Sequence, residues 1–102
     1  MAAYYNITSS ITQQLISESE GKHLETISLC NVQDTSASFS LYMQKDGDSE
    51  GKFFLLRSTM LYGGSTFEKH FNYLPNGFGY FLKIDTNTGS APSVDVVLKS
   101  KK

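Results

Sequence analysis

Apolar and polar side chains alternate along most of this chain. That alternation restricts it to extended structure, because successive residues of a strand point to opposite faces. In residues 38–44, SFSLYMQ, Phe39, Leu41 and Met43 share one phase while Ser38, Ser40, Tyr42 and Gln44 share the other. GFGYFLKID repeats the pattern with Phe78, Tyr80, Leu82 and Ile84, and SVDVVLK with Val94, Val96 and Leu98. Strands with one buried and one solvated face are those of antiparallel sheets. STFEKHF is a weaker instance, setting Phe67, Lys69 and Phe71 against Thr66, Glu68 and His70. KFFLLRS, residues 52–58, is apolar on both phases, so it is expected to be covered on both sides or to lie at an interface.

The alternation is broken at QDTS (33–36), KDGDSEG (45–51), YGG (62–64), LPNG (74–77) and TNTGSAP (86–92), which are rich in residues that accept turn dihedrals. Turns at about ten-residue intervals predict an all-β protein. The expected form is an antiparallel β-sandwich of about seven to eight strands, Ig-like or jelly-roll-like. At 102 residues the chain is expected to form one domain over 1–102, since two cores of half that size would bury too little surface to offset chain entropy. Residues 1–20 fit the pattern least. Ile11, Leu15 and Ile16 fall at helical spacing among β-branched neighbours, so an N-terminal arm or short helix is expected there.

The chain carries little that points to catalysis. Nucleophilic chemistry needs a Ser or Cys beside a base, and the only histidines are His23 and His70. GGSTF is not the strained elbow of a serine hydrolase. Cys30, the single cysteine, sits within a strand pattern and reads as a small apolar filler of a sheet. His23, Cys30 and His70 lack the paired spacing of a zinc site, and no cofactor is expected. DGDSEG offers calcium-like oxygens at Asp46, Asp48 and Glu50, although a solvated hairpin loop explains the same acids. A formal net charge of −1 argues against direct nucleic-acid binding. No apolar run approaches the ~18 residues of a membrane span, and MAAYYNITSS lacks the form of a signal peptide. A soluble protein made in a cytoplasm is expected.

Two biases point to protein contacts. Residues 1–50 hold seven acids against two cations, whereas residues 51–102 hold seven cations against three acids. That asymmetry suits contact with a charged partner or with further copies of the chain, as a homo-oligomer. Six Tyr and seven Phe are also more rings than a core this small readily buries. Tyr4, Tyr5, Tyr62 and Tyr73 lie near an end or a turn, the MLYGG segment adds Met60 and Leu61, and the basic end adds Lys101 and Lys102. These eight residues are the candidate interface.

The stretches ISLCNVQDTSASFSLYMQKDG, LLRSTMLYGGSTFEKHF and SVDVVLKS resemble small all-β virion proteins of tailed bacteriophages, including T4-like phages of cyanobacteria and other marine bacteria. The resemblance rests on Ile27, Leu29 and Asn31, then Phe39, Leu41 and Tyr42, then Gly64, Ser65 and Thr66, then Val94, Asp95 and Val96. It departs at MLYGG, where the family more often has a proline-alanine-glycine turn. The resemblance implies a non-enzymatic structural protein of the virion, made in the host cytoplasm, whose partners are other capsid or tail proteins. A capsid decoration or cement role is the leading expectation. A tail, neck or baseplate component is the alternative, and a carbohydrate-binding adhesion module built on the same aromatics is a further one.

Overall fold

The computed structural model describes residues 2–9, 12–45, 51–72, 74–86 and 91–101. Within them run β1 (Ala2–Ile7), β2 (Thr12–Ile16), β3 (His23–Asn31), β4 (Ala37–Gln44), β5 (Phe53–Leu61), β6 (Thr66–His70), β7 (Gly79–Thr86) and β8 (Val94–Lys101), with a 3-10 turn at Glu18–Glu20. The strands form two four-stranded antiparallel sheets, sheet A ordered β1-β8-β3-β6 and sheet B ordered β2-β7-β4-β5. The chain changes sheet at every connection except β4–β5. That wrap is a jelly roll. Of the two sandwich forms the alternation allowed, it is the one this chain adopts.

The inward phase of each strand is the apolar one. Leu24, Ile27 and Leu29 of β3 and Val94, Val96 and Leu98 of β8 face Phe39 and Leu41 of β4 and Tyr80, Leu82 and Ile84 of β7 across the sandwich, all buried. Burying such side chains contributes about 1.5–3 kcal/mol each against leaving them in water. The register therefore cannot slip by one residue without exposing the whole set. Tyr80 is the polar exception. Its hydroxyl donates to the carbonyl of Pro75 at 2.6 Å, which ties the β6–β7 connection to the core.

The N-terminal segment corrects the expected arm or helix. Residues 2–7 pair with β8 and residues 12–16 pair with β7, so the segment supplies an edge strand to each sheet. A register shift between Gln14 and Ile16 lets both Leu15 and Ile16 face inward. Two adjacent apolar residues on one side imitate a helical stripe, but a bulged strand produces the same placement. Among the described residues the only helical element is the 3-10 turn.

One end of the sandwich is fastened by Asn31, the last residue of β3. Its buried Nδ2 donates to the carbonyls of Thr35 at 2.9 Å and Leu61 at 3.1 Å, and its Oδ1 accepts from the Gln33 N–H at 3.1 Å. Its backbone exchanges two further bonds with the β5–β6 turn, to the Ser65 carbonyl and from the Gly64 N–H. A single amide thus joins the β3–β4 and β5–β6 turns. Gly63 allows the approach, since a Cβ there would lie 2.2 Å from the backbone oxygen of Asp34, and Gly64 carries a φ of 73° that favours glycine.

Candidate interaction surface

Strand β5 is an edge strand with two irregularities in its pairing to β4. Tyr42 pairs with Phe54 but Leu41 with Leu56, and Phe39 then pairs with Thr59. The first extra residue lets Leu55 and Leu56 both pack toward the core. The second sets Arg57 and Ser58 opposite Ser40, with Ser58 at a φ of 47° and its N–H donating to the Ser40 hydroxyl at 3.0 Å. This accounts for a run that is apolar on both phases. It also bends the edge, which hinders pairing with a further strand.

Outward from β5 lies a row of rings. Register places Phe54, Tyr42, Phe81 and Gln14 side by side across the outer face of sheet B. Tyr42 and Phe81 stack at 5.3 Å with 16° between planes, and Tyr42 meets Phe54 at 5.4 Å. Phe81 also covers the bare backbone of Gly79, where a Cβ would come within 2.9 Å of its ring. Cations sit on these rings. Lys52 Nζ is 5.0 Å from the Tyr42 centroid and Arg57 Cζ is 5.0 Å from that of Phe54. At the same edge Phe53 meets Phe78 edge-on at 6.2 Å, with Lys45 Nζ 5.2 Å from the Phe78 ring. Tyr42 is sealed, at 8% exposure, whereas Phe54 keeps 43%, Phe53 55% and Met60 42%.

The sequence-derived candidates do not gather into one patch. Tyr4 is 74% exposed on the outer face of sheet A, beside Val97 of β8. Tyr5 takes the opposite phase and is half-buried toward Leu15 and Ile16. Met60 is exposed on the outer face of sheet B, and Tyr62 projects from the β5–β6 turn at 64% exposure. Leu61 is a correction: it pairs with Ala37 on the inward phase and is buried, so it cannot contact a partner. Lys101 is exposed at the end of β8. Tyr73, Lys102 and the calcium candidates Asp46, Asp48 and Glu50 lie outside the described residues.

The polar candidates stay apart. Cys30 is half-buried on the outer face of sheet A, between Asp95 and Thr66. His70 lies four residues along β6 from that Thr66, about 13 Å by strand rise, and its Nδ1 is 3.2 Å from the Thr26 hydroxyl. His23 pairs with Asn76 at the far end. Among the described residues no three metal-ligating groups converge.

The sequence reading did not name Phe53, Phe54, Tyr42 or Phe81 among its candidate contact residues, although it set Tyr42 on the polar phase and residues 52–58 at a doubly covered or interface position. The available signal was that Tyr42 and Phe81 occupy the outward phase of strands whose other outward residues are polar or glycine.

No protein-family model matches the sequence, and no curated protein sequence matches it. The fold is similar to that of PirA, with a TM-score of 0.63 and 6% identity over 95% of this chain and 91% of that one. It is also similar to that of the Yersinia pseudotuberculosis-derived mitogen YPM, with a TM-score of 0.55 and 13% identity over 97% of this chain and 83% of that one. At such identities the likeness concerns the fold alone.

Proposed function

We propose that this protein is a non-enzymatic structural component of a bacteriophage virion that docks on the capsid as a decoration or cement protein. The observation that carries the docking reading is the exposed Phe54 and Met60 on the outward phase of one edge strand, at 43% and 42%, with Phe53 at 55% beside Met43 on its other phase. Large apolar side chains left exposed along one edge of an otherwise polar surface mark contact with another protein, because their cover by a partner recovers the hydrophobic free energy the monomer forgoes. The rings are held by neighbours rather than free to turn, so little side-chain entropy is lost on binding. The particle as the partner rests on the resemblance of the β3–β4, β5–β6 and β8 stretches to phage virion proteins. A rigid jelly roll that adds buried area between capsid subunits stabilises the bound form by mass action.

The test is sedimentation of labelled protein with purified heads and with purified tails of the phage that encodes it. Binding to heads, lost on Phe54→Ser, is the expected result. Labelling confined to tails would place the protein in the neck, tail or baseplate instead. Binding to neither, together with a glycan array signal lost on Tyr62→Ala, would make it an adhesion module.

A further inference from the structure

We infer that the outer face of sheet B receives an acidic polypeptide segment, with the ring of Phe54 taking an apolar side chain and Lys52, Arg57 and Lys83 its carboxylates. The inference deepens the docking reading and rests on it. Register puts Lys83 on this face, between Thr12 and Ser40 and one step along β7 from the Phe81 ring. Lys52 and Arg57 lie over ring faces there, and none of these three cations has a carboxylate partner among the described residues. Asp85, opposite Ser38, is the one described acid on the face. Across the molecule one cation of sheet A, Lys99, lies 4.0 Å from Glu25. A face on which cations stand beside partly exposed rings, with one acid among its described residues, is complementary to alternating acidic and apolar side chains.

Two other binding modes fit less well. Single-stranded nucleic acid and sugars use open ring faces as stacking platforms. Here Tyr42 is enclosed by Phe81, Phe54 and Lys52 and is 8% exposed, while Arg57 sits over Phe54. What the face offers is mainly ring edges and cation heads, which suit a polypeptide.

The experiment is a backbone-amide NMR titration of the whole chain with a short alternating Glu–Phe peptide, its Gln–Phe counterpart and an oligothymidine. The acidic peptide should shift resonances of β4, β5 and β7 and weaken with added salt. The double variant Lys52→Gln/Arg57→Gln should bind it about tenfold more weakly, and Lys83→Gln provides a second, milder variant if the double one unfolds. Equal binding of the Gln–Phe peptide, tighter binding of oligothymidine, or shifts confined to sheet A would overturn the inference. Failure of this inference is distinguishable from failure of the docking reading, in which the wild-type protein does not sediment with particles at all. If particles bind through rings alone, Lys52→Gln/Arg57→Gln leaves sedimentation with heads intact while Phe54→Ser abolishes it.

Discussion

The two outer faces of this sandwich are built on the same pleat and reach opposite states. On sheet A the polar groups find local partners: Asn6 Nδ2 donates to Asp95 Oδ1 at 2.6 Å, Thr26 lies at hydrogen-bond distance from His70, and Lys99 pairs with Glu25. Tyr4 and Val97 form a small apolar island within that polar field. On sheet B a continuous row of rings occupies the corresponding positions, and Lys52 and Arg57 lie on π faces with no carboxylate partner among the described residues. Alternation makes a face outward without deciding whether it is finished by its own neighbours or left for a partner. The difference lies in which residues fill the outward phase.

That contrast presumes a common frame, so the largest expected effect is on the frame itself. Gly63→Ala forces a Cβ into the backbone of Asp34, and a loss of about 3 kcal/mol or more in urea unfolding is expected, with both faces disrupted together. Asn31→Ala should cost about 3 kcal/mol, because it strands the carbonyls of Thr35 and Leu61 and the Gln33 N–H. A small effect from either would mean that the turn end is not what fixes the sheets.

Next comes the contrast between faces. Phe54→Ser should weaken particle binding by about tenfold or more, whereas Val97→Ser, on the other face, should leave it unchanged. Equal losses in sedimentation would erase the distinction.

Tyr80 offers a change that touches neither face. Burial pushes its phenol up to about 12, against a smaller opposing hydrogen bond at the Leu24 backbone. The folded state thus holds this proton above the ordinary value of 10.0. Stability from the neutral phenol is intact below pH 10 and is lost as the pH rises toward about 12. Tyr80→Phe should lose about 1 kcal/mol near neutrality, with its bond to Pro75. Its thermal melts should also lack the wild-type component of alkaline loss. The smallest effect is expected at Lys99→Gln, about 0.5 kcal/mol or less, since the pair with Glu25 is long and mostly solvated.

The inward set and the turns were legible in the sequence because alternation is local: Phe39, Leu41, Tyr80, Leu82, Ile84, Val94, Val96 and Leu98 are buried as their phase required. The strand character of residues 2–7 and 12–16 was not, because pairing with β8 and β7 is made across most of the chain's length and a bulge disguises the period. Of the candidate surface, Tyr4, Met60 and Tyr62 are exposed. Leu61 is buried because proximity to a turn carries less weight than the phase of β5.

The sequence by itself determined a sandwich of antiparallel strands, its inner faces and its turn sites, all consequences of side-chain period and backbone preference. Tertiary structure alone decided the jelly-roll wrap, the meeting of Asn31 with two turns, and the row of Phe54, Tyr42 and Phe81. Those residues stand far apart in the chain, and only cross-strand register, fixed by burial of the opposite phase, brings their rings and the cations of Lys52 and Arg57 onto one surface.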